Sequence, residues 1–182
     1  AYLYFSGGLV DYGDTSKPQS VGESKITGDP KHYASPVDPN YAGCQRQFII
    51  YLSDGQPTWD VDAENKIESL PGFVATNGST SDCSGSGDGS CLDDLAGYMN
   101  KHGFDVYLSP TDTIKDVRVN TYTIGFAGDI PILNDAAQEG GGEYFVAYGA
   151  TDLLNTLTAI IREIKAIHTT FSSPAVSINA FN

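Results

Sequence analysis

Residues 48–58 read Phe-Ile-Ile-Tyr-Leu-Ser-Asp-Gly-Gln-Pro-Thr, and this stretch is the strongest indication of the fold class. An unbroken apolar run that ends in a turn signal is typical of a strand buried on both faces, and such strands belong mainly to parallel sheets covered by helices. Ligands of these sheets bind beyond the carboxyl ends of the strands, where the sequence places Asp54. Its carboxylate is a hard oxygen donor that suits Mg²⁺ or Ca²⁺. The alternative is that Asp54 and Gly55 only form the turn after the strand.

Composition narrows the class of protein. The chain has 182 residues, which suits one domain or a large part of one, and its hydrophobic fraction of 40% is enough for a core. The formal net charge of -13 argues against nucleic acid or an anionic membrane as a partner, and it is compatible with cation binding. No apolar run approaches the ~20 residues that span a bilayer, so we expect no membrane insertion.

The start of the chain indicates that more sequence precedes it. The printed sequence begins at Ala1, and residues 2–5 are typical of the end of a helix that Gly7 and Gly8 terminate. We therefore expect a processed or trimmed piece of a longer protein. Residues 9–43 are rich in Gly, Pro, Ser, Asp and Lys and show little periodicity, which predicts a long surface excursion.

The other elements alternate in type along the chain. The central strand is expected over residues 46–53. The acidic segment with Asp60, Asp62 and Glu64 is interpreted as a solvated face, with a helix start capped by Asp60 as the alternative. The later elements are predicted as helices over 92–102, 130–139 and 151–167 and strands over 119–126, 143–148 and 173–182. This order implies right-handed crossovers and a three-layer α/β fold, with a mostly parallel sheet flanked by helices.

The three cysteines indicate an oxidising compartment. Cys83 and Cys91 bracket a loop of Ser, Gly and Asp that cannot build its own core, so a disulfide between them is the economical interpretation. This predicts an extracytoplasmic location. Cys44 is left free or paired with a cysteine outside this sequence. The cysteine spacing fits no zinc motif, and the three histidines are scattered.

The same loop contains a pattern with two interpretations. Asp82, Ser84 and Ser86 match an Asp-x-Ser-x-Ser motif that can hold a divalent cation, and Asp88 extends a partial likeness to a calcium loop. A motif of the first kind needs a buried strand before it and a helix directly after it, and this loop has neither. We interpret the segment as a solvated cystine loop, with a secondary calcium site on these four residues as the alternative.

The sequence contains no recognisable catalytic motif. It contains no Gly-x-Ser-x-Gly elbow and no credible Ser/His/Asp set. The glycines at 140–142 follow a predicted helix and precede a predicted strand, which is the reverse of the order that a phosphate loop requires. We therefore predict that the chain is not an enzyme.

Several stretches together resemble a known family. The central stretch, residues 121–126, the segment 133–145 and the long closing helix are similar, in this order, to the second half of a von Willebrand factor A domain. Residues 4–8, 50–58, 91–96 and 170–181 are similar to the branch of that family found in type IV pilus tip-associated adhesins and biogenesis proteins. The resemblance covers most of the chain except the loops at about 14–40, 76–90 and 104–116.

The resemblance implies a metal-ion-dependent adhesion site. In that family three loops at the carboxyl edge of the sheet hold a divalent cation, and Asp54 matches the third loop. The other ligands would lie upstream of Ala1, so the fold is expected to be N-terminally incomplete and to expose an apolar edge. Mg²⁺ or Ca²⁺ would bind the intact domain and could be absent from this piece. Residues 1–168 would form the partial domain, and residues 169–182 would connect it to a following domain.

The resemblance also implies a function. We expect an adhesion or binding module of a type IV pilus tip protein that takes part in pilus assembly, surface attachment and twitching motility. Its partners would be minor pilins and host or abiotic surface ligands, at the cell surface, pilus tip or outer membrane of a Gram-negative bacterium. One alternative is a secreted von Willebrand A binding module with no link to pili. Another, from a different class, is a metal-dependent hydrolase that uses Asp54.

Overall fold

The structure is a computed structural model that describes residues 1–11, 22–41, 45–58, 63–85, 87 and 89–169. The helices are α1 (Tyr2–Phe5), α2 (Glu64–Glu68), α3 (Leu92–Gly97), α4 (Pro131–Glu139) and α5 (Ala150–Thr169). The strands are β1 (Lys25–Ile26), β2 (Asp29–Tyr33), β3 (Gln47–Ser53), β4 (Phe104–Ser109), β5 (Asp112–Val117), β6 (Val119–Phe126) and β7 (Gly141–Ala147). Short helical turns also cover Gly22–Ser24 and Tyr98–His102.

The central sheet is parallel, as the sequence predicts. Its strands lie in the order β3-β6-β7, and both neighbouring pairs run parallel. Ile49 lies opposite Thr121 on β6, and Ile124 lies opposite Phe145 on β7. Helices flank this sheet, so the chain has a mixed α/β architecture in which parallel strands end at one common edge.

Two clusters of buried side chains fill the space around the sheet. The cluster on the α5 side is centred on Tyr122, Ile124 and Ile160, which are at most 1% exposed. The other cluster includes Val119 on β6 and Met99 in the turn after α3, together with both cysteines of the disulfide. The sheet is therefore covered on both faces around β6, which is the most buried strand.

The prediction that the central strand is buried on both faces is wrong. In β3, Ile50, Tyr51 and Leu52 are 39%, 43% and 49% exposed. The cause is position, because β3 lies at the edge of the sheet and pairs only with β6 among the described residues. Apolar content alone did not distinguish this edge strand from a central one.

Two antiparallel hairpins lie where the sequence predicted irregular loops. Strands β1 and β2 form a hairpin within the predicted excursion 9–43, and Gly28 at its turn has a φ of +90° that favours glycine. Strands β4 and β5 form the second hairpin, in which Phe104 and Val106 point into the core. The apolar alternation of β4 was a usable signal for a half-buried strand.

The predicted helices are confirmed with small changes in their bounds. The first continues from α3 into a wider turn that ends at Gly103, whose φ is +76°. Helix α5 extends to Thr169, one residue beyond the predicted domain boundary. The predicted connector strand over 173–182 and the candidate cap Asp60 lie outside the described residues. No described helix is both long enough and apolar enough to cross a membrane.

Candidate functional site

Asp54 is the first residue after β3, at the carboxyl edge of the parallel sheet, and it is exposed. The turn around it is closed by its neighbours, because the Ser53 hydroxyl donates a hydrogen bond to the Gly55 carbonyl oxygen at 2.9 Å. Among the described residues, no hydrogen bond or ion pair reaches the Asp54 carboxylate. The turn therefore forms without the Asp54 side chain, which leaves its two oxygens available to a ligand.

Clefts lie on both faces of the sheet beside this residue. The cleft on the α5 side has a volume of about 350 Å³ and is lined by Leu52, Ser53, Asp54, Phe126 and Leu153. The cleft on the α3 side has a volume of about 520 Å³, and its lining includes Tyr51, Pro57, Glu64, Leu95 and Leu133. A ligand at Asp54 would thus contact apolar side chains as well as the carboxylate.

Carboxylates also follow the other two parallel strands. Asp129 follows β6 and accepts a hydrogen bond from the Tyr144 hydroxyl at 2.9 Å. Asp152 lies in the first turn of α5, after β7, and accepts the backbone N–H of Tyr148 at 3.3 Å. Burial and the Asp129 carboxylate raise the pKa of Tyr144, whose hydroxyl is protonated at neutral pH even at its ordinary pKa of 10.0. Sequence reasoning missed these residues, although a carboxylate after each strand was a readable signal.

The turn after β6 is held in a specific shape. A Cβ atom at Gly125 would lie 2.7 Å from both the Tyr144 hydroxyl and the Gly128 carbonyl oxygen, so only glycine fits there. Ala127 has a φ of +64°, and its N–H donates to the Ala147 carbonyl oxygen at 2.8 Å. A left-handed conformation at a residue with a side chain costs about 1–3 kcal/mol, so packing of this loop must hold it in place.

The donor set at the carboxyl edge fits a hard cation only in part. Mg²⁺ and Ca²⁺ take six or more oxygen ligands, some of them water, and they bind poorly to a single carboxylate. Asp54 supplies one such carboxylate, while Asp129 and Asp152 already accept hydrogen bonds from other groups. The described part of the chain therefore brings one ready ligand to this edge and does not complete a site.

The cystine loop has a different set of contacts. Cys83 and Cys91 form the predicted disulfide, with their Cα atoms 5.2 Å apart. Beside it, a Glu68 oxygen accepts the backbone N–H of Cys83 at 3.0 Å. The Glu68 carboxylate and the two sulfur atoms lie within 4.8 Å of one another, but the sulfurs are bonded to each other. This cluster is a disulfide with a supporting hydrogen bond, which is compatible with an extracytoplasmic location.

The residues of the candidate calcium loop are only partly described. Asp82 is exposed and accepts the Ser81 hydroxyl at 2.8 Å. The Ser84 hydroxyl donates to Asp93 at 3.2 Å. Ser86 and Asp88 lie outside the described residues, so the secondary calcium site stays a prediction.

A pair of buried carboxylates holds this loop, and sequence reasoning did not anticipate it. Asp94 is 1% exposed and accepts the backbone N–H groups of Thr76 and Ser84, each at 2.7 Å. Asp93 is 8% exposed and accepts the hydroxyls of the same two residues, at 3.4 Å and 3.2 Å. Burial and then the neighbouring Asp94 charge raise the pKa of Asp93. The pair therefore links Thr76 and Ser84, on the two sides of the loop, to the start of α3.

Comparisons with known proteins identify no family for this chain. No protein-family model matches the chain, and no curated protein matches it. The chain is similar to a solved structure of an uncharacterized membrane spanning protein from Vibrio fischeri, with 17% sequence identity and a TM-score of 0.39 over 68% of this chain. The match spans 50% of that protein, so this chain corresponds to about half its length. A likeness of this size supports no argument about function.

Proposed function

We propose that this chain is the second half of a von Willebrand A-type binding module from a type IV pilus tip protein. It acts by binding, without chemical turnover, in pilus assembly, surface attachment and twitching motility. The observation that carries the proposal is the Asp54 carboxylate, which is exposed and uncommitted among the described residues at the carboxyl end of a parallel strand. In open parallel sheets this edge is where ligands bind.

The proposed site is completed by groups from outside the printed sequence. Asp54 supplies one carboxylate to Mg²⁺ or Ca²⁺, and residues upstream of Ala1 supply the remaining protein ligands. An acidic group on the partner, a minor pilin or a surface ligand, fills the last coordination position. The apolar side chains that line the clefts beside Asp54 give such a partner additional contact area.

Two further features support this proposal. The Cys83–Cys91 disulfide is typical of proteins outside the cytoplasm, as a pilus tip requires. The net charge of -13 also favours a cation as the bridge between this protein and an acidic partner, because direct contact between two acidic surfaces is repulsive.

Partner binding in the presence and absence of cation tests the proposal. Purified minor pilins are immobilised, and the upstream-extended protein is passed over them in Mg²⁺ or Ca²⁺ and then in a chelator. We expect binding that the chelator abolishes and that Asp54→Ala weakens at least tenfold. Asp112→Ala, at an exposed position of the β4–β5 hairpin, is the matched control and should bind normally. Binding that neither the chelator nor Asp54→Ala affects would contradict the proposal.

A further inference from the structure

Asn77 and Gly78 form the only Asn-Gly pair in the sequence, and both residues are exposed. They lie in a tight turn of the loop that Asp93 and Asp94 hold, and the Gly78 N–H donates to the Ala75 carbonyl oxygen at 2.8 Å. Gly78 has a φ of +87°, which favours glycine, and a Cβ atom placed there would meet no atom of the described residues within 4 Å. The turn therefore presents an asparagine that is followed by an unhindered backbone nitrogen.

Asparagine followed by glycine can react within the chain. The Gly78 nitrogen attacks the side-chain carbonyl carbon of Asn77, a new N–C bond closes a cyclic imide, and ammonia leaves with the proton of the Gly78 N–H. Water then opens the imide at either carbonyl group, so residue 77 becomes aspartate, or isoaspartate with the backbone running through the side chain. Asparagine is a thermolabile residue, and a following glycine has no side chain to obstruct the attack. The reaction consumes only water.

The closed turn engages both reacting groups in hydrogen bonds. The Gly78 N–H is donated to Ala75, and the Asn77 side-chain oxygen Oδ1 accepts the backbone N–H of Ser79 at 2.8 Å. The Ala75 N–H donates to the Ser79 carbonyl oxygen, also at 2.8 Å, which closes the turn from the other side. Because the Gly78 nitrogen must lose the proton that it shares with Ala75, the reaction proceeds from the open turn.

The buried carboxylates at the start of α3 hold this turn closed. Thr76, the residue before Asn77, donates its N–H to Asp94 at 2.7 Å and its hydroxyl to Asp93 at 3.4 Å. The same Asp94 carboxylate accepts the N–H of Ser84 on the other side of the loop. Local opening is rare where buried hydrogen bonds must break. Loss of the Asp94 bonds should therefore increase the time that Asn77 spends in the open turn.

We infer that Asn77 is a modification site, at which opening of this loop converts the asparagine into aspartate or isoaspartate. The conversion adds a negative charge beside Thr76, whose hydroxyl contacts the Asp93 carboxylate. Isoaspartate also adds one carbon atom to the backbone, so the two hydrogen bonds of Ala75 cannot both form again. A loop modified in this way closes less well than the original. This inference needs neither Asp54 nor a cation and does not rest on the proposed function.

Peptide mass spectrometry of the purified chain, after incubation at mildly alkaline pH, tests the inference. We expect the native chain to convert slowly at Asn77 and Asp94→Ala to convert roughly tenfold faster or more, because two buried N–H groups lose their acceptor. Asp94→Asn keeps one acceptor oxygen and should convert at an intermediate rate. Asp112→Ala, at an exposed carboxylate, is the matched control and should convert at the native rate. The chain unfolded in urea gives the fastest rate.

Further controls assign the mass change to this site. Asn77→Gln should remain unmodified at position 77, because the longer side chain would have to close a larger ring that forms more slowly. Asn40 is also exposed, but Tyr41 follows it, so it should stay unmodified in the same samples. Enzymatic methylation of isoaspartate in the digested chain distinguishes isoaspartate from aspartate.

Circular dichroism of each variant before incubation shows whether it is folded, and Asp94→Asn serves as the test if Asp94→Ala is not. A native chain that converts as fast as the chain in urea would overturn the inference, because the closed turn would then give no protection. Equal rates in the native chain and in the folded Asp94 variants would also overturn it. So would an Asn77 that stays unmodified even in urea.

Discussion

The Asp94 carboxylate accepts the backbone N–H of Ser84 at 2.7 Å, and this hydrogen bond ties the cystine loop to the first turn of α3. The other Asp94 oxygen accepts the N–H of Thr76 at the same distance. One buried side chain therefore satisfies two backbone donors from the two arms of the loop. The loop between Leu70 and Cys91 has no helix or strand among its described residues, so these bonds and the disulfide define its path.

Loss of the Asp94 carboxylate should destabilise the protein. Asp94→Ala leaves two buried N–H groups without acceptors, and we expect a decrease of about 2–4 kcal/mol in the free energy of unfolding. Urea unfolding followed by circular dichroism measures this change. Asp112→Ala, at an exposed carboxylate, should change the same quantity by less than about 0.5 kcal/mol. Equal effects of the two substitutions would refute the role given to Asp94.

Asp93 should make stability depend on pH. Burial and the Asp94 charge raise the pKa of Asp93 above its ordinary value of 3.8. A carboxyl group whose pKa is higher in the folded state contributes stability below its unfolded pKa, and this contribution is lost as pH rises through the folded pKa. Relative to the native chain, Asp93→Asn should therefore gain stability as pH rises upward from 3.8, the ordinary pKa of the group. Parallel stability curves for the two proteins over this range would contradict the assignment.

The disulfide should contribute a measurable part of the stability. Cys83 and Cys91 are separated by 8 positions, and closing a loop of this size removes entropy worth about 2–3 kcal/mol from the unfolded chain. Reduction of the native protein should lower the free energy of unfolding by this amount. The double variant Cys83→Ser with Cys91→Ser should start at the lower value and should not respond to reductant. An unchanged unfolding curve for the reduced native protein would argue against this contribution.

Adjacent isoleucines on α5 test the packing of the helix on the sheet. Ile160 is fully buried against Tyr122 and Ile124, so Ile160→Ala should cost about 2–5 kcal/mol. Ile161 is 45% exposed, and Ile161→Ala should cost less than about 1 kcal/mol. Thermal unfolding of both variants at one protein concentration measures the difference. Similar costs would mean that the helix is rotated from the described orientation.

Much of the fold was predictable because its signals are local. The strand Val119–Phe126 and the helix over Pro131–Glu139 follow from β-branched content and apolar spacing. The position of β3 at the sheet edge was not predictable, since the exposure of Ile50 depends on which strands are neighbours in space. The β1–β2 hairpin was missed because its strands are short and polar and its stability comes from contacts outside it, such as the bridge from Leu9 to His32.

The candidate site was predictable to a similar extent. The position of Asp54 at the carboxyl edge of the sheet could be predicted, because the end of a strand can be read from the sequence. The contacts of Asp93 and Asp94 could not be predicted from the sequence. Their partner Thr76 is 17 and 18 positions away and their partner Ser84 is 9 and 10 positions away, in a loop without periodicity. Hydrogen bonds between a loop and a distant helix depend on tertiary packing, which has no local pattern.

Calorimetric titration of Mg²⁺, Ca²⁺ and Mn²⁺ tests whether Asp54 is a cation ligand. Each cation is titrated into this chain and into one extended upstream of Ala1, both as the native sequence and as Asp54→Ala. We expect the extended native protein to bind the cation and Asp54→Ala to abolish this binding. Cation binding that survives Asp54→Ala would contradict the assignment of Asp54, and absence of binding in the extended protein would leave Asp54 as a turn residue.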